Sequence, residues 1–301
     1  MTNNFHAGEL AVQERAGVQN DASRLGKGIR SALQPAQQDF LRGQRLAVAS
    51  SVDANGKVWA SLLTGEPGFI QAVDERTIQI DTVPTIGDPL WTNLQKKGPL
   101  GLLAINPALQ KRVRVNGIGE VRSEGGLSLH VQQAFGNCPR YIQVRHPDAT
   151  NSTSQSSHDV RQGNLLTKEQ QDWVARADTF FVASYHQESG ADASHRGGNP
   201  GFVRALDTNS LAWPDYNGNG MFQTLGNITV NPNVGLLFID FVHGRTLQLA
   251  GTARIIWDAD RVAKFVGAER VVEFHIDQMI EMTSVSPIRW HLIEYSQHNP
   301  A

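Results

Sequence analysis

The segment Ala193-Ser-His-Arg-Gly-Gly-Asn-Pro-Gly-Phe202 sets a hydroxyl, an imidazole and a guanidinium on consecutive residues and follows them with glycines. Such side chains can bond and neutralise an anionic ligand, and the glycines let a ligand approach the backbone closely. Pro214-Asp-Tyr-Asn-Gly-Asn-Gly-Met221 comes next and leads into a stretch of helical spacing. Free amides at a helix start, preceded by Gly and Asn, can cradle a phosphate. A plainer reading exists for both segments, because Gly-rich loops are often simple turns and a strand Ser or Arg is often just solvated.

Other candidates narrow the chemistry. His195 has three open readings: a general acid near a bound ligand, a contact to that ligand's edge, or a simply solvated side chain. The single cysteine, Cys138, cannot form an intramolecular disulfide or a Cys-rich metal site. It is either a reactive thiol, if Arg140 lowers its pKa, or a packing residue lining a ligand. The ten histidines are scattered with no His-x-x-x-His pair, so no metal site is expected. Trp213 and Trp257 are candidates for stacking on an aromatic ligand or for the core. The run from Gly218 to Gly226 lacks the Gly-Lys-Ser/Thr ending of a phosphate loop, and there is no Gly-x-Ser-x-Gly elbow.

These segments need a scaffold, and the chain supplies one twice. Val48-Ala49-Ser50 recurs as Val182-Ala183-Ser184, and Gly65, Pro67, Gly68 and Phe69 recur as Gly198, Pro200, Gly201 and Phe202. Gly101-Leu102-Leu103 recurs as Gly235-Leu236-Leu237, and the offset stays at 133–134 residues. So long a period makes each copy a complete domain. In the first copy, 45–52, 58–63, 69–73, 77–81, 100–105 and 112–121 have strand character, with a helix over 88–97. In the second, 180–185, 192–196, 202–206, 211–213, 235–241 and 246–257 have strand character, with a helix over 221–228. Evenly spaced short strands with one helix predict a mainly β fold of two small barrels. The expected division is a helical extension over 1–39, a first barrel over 40–150, a Ser/Thr/Asn-rich linker over 151–166 and a second barrel over 167–301. Within the extension, 6–18 and 31–42 have helical character.

The 301 residues carry 27 Lys+Arg and 29 Asp+Glu, a formal net charge of −2. That balance argues against a partner such as nucleic acid or an anionic membrane. The halves differ, with 16 basic and 13 acidic residues in 1–150 against 11 and 16 in 151–301. Weakly complementary halves fit barrels packed on each other. No run approaches ~18 apolar residues, so no spanning helix is expected. Residues 1–25 lack the pattern of an export signal, which makes a cytoplasmic setting the expectation.

Through Ala193–Phe202, Pro214-Asp-Tyr216 and Gly235-Leu-Leu-Phe238, the second copy resembles the FMN-binding split-barrel proteins of the pyridoxamine 5'-phosphate oxidase-like family. The first copy resembles them through Ala60-Ser61, Gly65-Glu-Pro-Gly-Phe69, Gly101-Leu-Leu103 and the closing element around Asn137-Cys-Pro-Arg-Tyr141. The resemblance covers about 40–295. It implies two split barrels packed as a pseudo-dimer, working as a monomer or a homodimer, with FMN in the groove between them. By matching position it sets Ser194, His195, Arg196 and Gly197 beside the flavin. Asp215, Asn217, Asn219 and Thr224 would lie towards the ribityl phosphate, and Asn137, Cys138, Arg140 and Tyr141 would come from the partner side.

Two departures qualify that implication. Family members often carry Arg or Lys just before the helix, where this chain has Gly220-Met221. The phosphate would then rest on Arg196, backbone amides, Asn219 and Arg140. In the first copy Leu62-Leu63-Thr64 stands where the second has His195-Arg196-Gly197, so one good site and a degenerate one near Ser61 are expected. The implied activity is an FMN-dependent oxidoreductase acting on a small molecule, with NAD(P)H as candidate electron donor. Pyridoxamine phosphate oxidation itself lacks a second cationic set for the substrate phosphate. The alternative is a non-catalytic flavin or haem carrier, or a subunit of a redox assembly.

Overall fold

The computed structural model describes residues 4–83, 85–148, 159–283 and 285–301. Most of the Ser/Thr/Asn-rich stretch lies outside them. Three short helices open the chain: α1 (Ala7–Arg15), α2 (Gln19–Gly26) and α3 (Pro35–Arg42). His6 caps α1 by accepting the Gly8 amide on Nδ1, while the Glu9 side chain accepts the His6 amide. This reciprocal bonding satisfies donors that a first helical turn leaves free.

The first half then runs β1 (Leu46–Val52), β2 (Val58–Thr64), β3 (Ile70–Ala72), β4 (Thr77–Ile80), α4 (Leu90–Asn93), β5 (Gly98–Asn106), β6 (Lys111–Val121) and β7 (Leu127–Gly136). The strands β8 (Val144–Pro147) and β9 (Val160–Gly163), then α5 (Lys168–Arg176), lead into the second half. That half runs β10 (Thr179–His186), β11 (Gly190–Gly197), β12 (Arg204–Ala205), β13 (Ser210–Asp215), α6 (Gln223–Val230), β14 (Asn233–Ile239) and β15 (Thr246–Ile256). It closes with α7 (Ala259–Val262), β16 (Arg270–Met282) and β17 (Trp290–Glu294).

The first sheet has the order β2-β1-β5-β6-β7-β4-β3 and the second β11-β10-β14-β15-β16-β13-β12, with β9 added beside β16. Strand for strand the two orders are the same, so the repeated sequence is a repeated topology. Even the irregularities recur. The ladders slip at Asn116/Gly117 and at Ala250/Gly251. There a Cβ on Gly117 or Gly251 would sit 1.9 Å from the carbonyl of His130 or His275.

Each half has its own apolar core, built on residues such as Ile78, Leu102 and Leu129 in the first and Phe180, Trp213 and Phe274 in the second. A further cluster is shared, with Val48, Leu62 and Leu103 packed on Phe181, Ala193 and Leu237. Gly101 on β5 faces the backbone of β11, where a Cβ would lie 2.6 Å from the Ala191 carbonyl. Gly235 on β14 faces β2 in the same way, 2.7 Å from the Val58 carbonyl. The two contacts are related by the repeat offset, so the halves meet about an approximate two-fold axis.

Several expectations need correction. The expected strands of each copy end with 112–121 or 246–257, yet β7 and β16 follow and sit between those strands and β4 or β13. Their outward positions are polar, such as His130 and Gln132 on β7, which masks the buried Leu127, Leu129 and Val131. The helix expected over 88–97 is only α4, and the strand over 202–206 is only the two-residue β12. Residues 159–163, expected as linker, include β9 paired with β16. Of the amino-terminal extension, α1 docks on the second half, where the Gln13 side-chain amide donates to the Met221 carbonyl at 3.0 Å, whereas Arg30 pairs with Ala134 of β7 and Leu33 packs into the core of the first half.

Candidate functional site

Strand periodicity sends Arg112, Arg114 and Asn116 of β6 towards one face, and that face meets β11 of the other half. Arg114 forms a buried ion pair with Asp192, and the Asn116 amide donates to the same carboxylate at 3.2 Å. Arg112 approaches His195 Nδ1 at 2.8 Å and donates to the Cys138 carbonyl at 2.8 Å. A guanidinium only donates, so His195 Nδ1 accepts and the ring proton sits on Nε2. Burial, then the charges of Arg112, Arg196 and Arg145, hold the His195 pKa well below 6.5. The ring is therefore neutral and has no imidazolium proton to give at neutral pH. Burial also brings Arg112 down to about 10, which leaves it cationic.

The second wall is the end of β13 and the loop into α6. Asp215 accepts from Arg196 at 2.8 Å and from Arg270 Nε and Nη2 at 3.0 and 2.8 Å. Across from it runs the strap after β7. Arg140 bonds the Asn217 side-chain oxygen, and the Tyr141 hydroxyl donates to the Asn217 carbonyl at 2.8 Å. The Asn217 amide in turn donates to Glu269 at 3.0 Å. Tyr141 takes a left-handed conformation, φ 66°. Its carbonyl would lie 2.0 Å from a Cβ on Gly197. Gly197 thus makes room for the strap from the first half, where the sequence suggested room for a ligand.

Between these walls lies a cleft of about 820 Å³, solvent-open space included. Ser194, His195, Arg196, Gly197, Asp215, Asn219, Thr224, Asn137, Cys138, Arg140 and Tyr141 all line it. Asn217 alone of the expected set does not, and serves instead to tie the strap down. Arg112, Arg114, Tyr216, Phe222 and Gln223 also line the cleft and were missed. The signal for the two arginines was Lys-Arg-Val-Arg-Val-Asn116, where cations alternate with valines in a strand expected to be buried on one face. Five buried polar atoms here have no partner among the described residues: Nε of Arg112, Arg114 and Arg196, Oδ1 of Asn137 and Nε2 of His195. Buried polar groups are normally bonded, so the set is shaped for a ligand with an anionic group and a polar edge.

The pseudo-equivalent place in the first half is filled. Ser61 donates to Asp88 at 2.7 Å, and the Gln248 amide reaches the Ala60 carbonyl at 2.7 Å and Asp88 at 2.9 Å. Gln248 occupies the position of Arg114, and the buried Trp59 that of Asp192. Trp213 is core at 1% exposure, while Trp257 lies half-buried under Arg15. Among the described residues no three His, Cys, Asp or Glu side chains cluster as metal ligands, and no helix is long and apolar enough to cross a membrane.

Residues 166–294 match the family model described as Pyridoxamine 5'-phosphate oxidase. No curated protein matches the chain. Among solved structures, HupZ of Group A Streptococcus is 17% identical, covering 37% of this chain and 90% of its own, with a TM-score of 0.31. General Stress Protein 26 of Bacillus anthracis is 12% identical, covering 42% and 98%, with a TM-score of 0.29. A Clostridium acetobutylicum protein of the pyridoxinephosphate oxidase family is 11% identical, covering 42% and 92%, with a TM-score of 0.31.

Proposed function

We propose that the chain is an FMN-binding flavoprotein and acts as an oxidoreductase on a small molecule, in keeping with the match of residues 166–294 to the family model described as Pyridoxamine 5'-phosphate oxidase. One observation carries the reading. Arg112, Arg114, Arg140 and Arg196 converge on a cleft where, among the described residues, Asp215 is the only lining carboxylate; Arg114 pairs with Asp192 and Arg196 with Asp215, which leaves Arg112 and Arg140 as cations without a carboxylate. Such an excess of positive charge suits a phosphate, and the unpartnered Nε atoms give it donors. The missing cation before α6 is thus made good from β6 of the first half.

Bound FMN would supply the two-electron chemistry that side chains lack. The residues of this chain bind and orient. Asp215 fixes the Arg196 guanidinium, and Arg112 fixes the His195 tautomer so that Nε2 is a hydrogen-bond donor. The strap at Arg140 and Tyr141, tied to Asn217, covers one side of the cleft.

A second reading is a flavin or haem carrier without catalysis. It is favoured by the bonding of the lining, since Asp215 is held between two arginines and His195 is neutral and bonded. Titration of purified protein with FMN, followed by flavin fluorescence, tests both. Binding is expected, with Arg196→Ala weakening it about tenfold or more, as for loss of a charged hydrogen bond. Thr64→Ala should leave it unchanged. Absence of FMN binding overturns the flavin proposal, and a Soret band with added haem favours the haem carrier. Bleaching of the bound flavin by NAD(P)H separates enzyme from carrier.

A further inference from the structure

Helix α1 crosses α6 at glycine-to-glycine distance. A Cβ on Gly8 would fall 2.3 Å from the Gly226 carbonyl, and one on Gly226 would fall 2.6 Å from the Glu9 amide nitrogen. This contact leaves Glu9 only 4% exposed. Its carboxyl accepts the His6 amide at 2.8 Å and lies 3.5 Å from His6 Nε2.

His6 offers it no positive charge. The His6 Nδ1 accepts the Gly8 amide, so Nε2 carries the proton and donates to Asn227 Oδ1 at 2.9 Å. The ring is stacked 3.8 Å from that of His186, whose Nδ1 accepts the Glu188 and Ser189 amides. The other charges facing Glu9 and His6 do not compensate either. Asp192 and Arg114 pair with each other, Glu188 is a further anion near His6, and Asp21 and Arg24 on α2 are exposed and paired. Helix α6 carries no charged residue. A buried carboxylate with no cation beside it is expensive, so the neutral acid is favoured.

We propose that docking of α1 onto α6 takes up a proton on Glu9, which makes the amino-terminal helix a proton-linked latch on one wall of the cleft. The wall in question is the start of α6, where Gln223 and Thr224 line the cleft and Gln13 holds the Met221 carbonyl. This latch does not depend on which ligand fills the cleft.

The sign follows from the two groups together. Burial pushes Glu9 up to about 8 and pushes His6 below 6.5. In the released helix both return to their ordinary values, 4.5 and 6.5. From 4.5 to 6.5, wherever the docked His6 is neutral, the released pair holds its proton on His6 and the docked pair on Glu9, so docking is level with pH there. From 6.5 to about 8 the docked helix keeps a proton that the released one has lost. Docking therefore weakens by about tenfold per pH unit across that window and is level again above it.

Amide hydrogen exchange on the full-length, ligand-free chain tests this, with protection of residues 8–15 referred to intrinsic rates at each pH. Wild-type protection should fall about tenfold per unit between about pH 6.5 and 8. Glu9→Gln, a neutral mimic, should be protected more than the wild type near pH 6 and show no fall over that window, and Glu9→Met should also show none. A wild type without the fall, an equal fall in either variant, or a Glu9→Gln chain unprotected near pH 6 overturns the latch.

Discussion

Asp88 shows what becomes of a polar site that is not used. Its carboxyl is enclosed by the Ser61 hydroxyl, the Leu90 amide and the Gln248 side chain, all neutral donors. Burial outweighs those bonds and pushes its pKa up from 3.8 to about 6. The folded chain then holds a proton that the unfolded chain releases between these values. Unfolding free energy should fall as pH rises from about 4 to about 6 and be level above, because the native state binds more protons there. Urea denaturation at several pH values checks it, and Asp88→Asn should remove this slope. At the other end of the same interface the acid is Asp192 and its partner is a cation, Arg114. The equivalent residues Arg114 and Gln248 thus enter a charged pair in one copy and neutral bonding in the other. Residue types near Ser194 and Arg196 were legible as ligand chemistry from the sequence. Arg114 was not, because its acid partner stands 78 positions away.

Among the elements, β5 and β14 bring the two halves into backbone contact. Their glycines, Gly101 and Gly235, let two sheets touch backbone to backbone. Alanine at either position must displace a partner strand or its carbonyl, an overpacking that costs about 1–3 kcal/mol. Gly136 on β7 meets nothing within 4 Å of an added Cβ, so Gly136→Ala should stay within about 0.5 kcal/mol. Chemical denaturation of the three variants gives the comparison, and equal costs would contradict the packing. The strap after β7 and the loop before α6 belong together in the same way. Neither has regular structure, and each is held by the other through Arg140, Tyr141 and Asn217. Strands with clear alternation, such as β6 and β15, were legible in the sequence. The strand β16 was not, because polar Glu273, His275 and Asp277 on its outward face mask the buried Phe274 and Ile276, and Gln278 breaks the alternation at the bulge before Met279.

For the whole molecule, the duplication means that one chain carries both sides of an interface. The two copies have diverged so that one cleft is lined by arginines and its pseudo-equivalent is filled by Trp59, Asp88 and Gln248. FMN should therefore bind with a stoichiometry of one per chain, measurable by calorimetric titration, and two equal sites would contradict the filled position. The sequence by itself determined the repeat, the mainly β class and the cation-rich and Gly-rich segments, because these are local patterns of residue type and period. Only the tertiary structure decided that α1 rests on the second half and α3 on the first, that β6 arms the cleft of the opposite half, and that Gly197 makes room for the Tyr141 carbonyl. Those facts depend on contacts between segments far apart in the chain. No local period or propensity encodes such contacts, and burial, charge pairing and steric fit settle them only once the two sheets have packed.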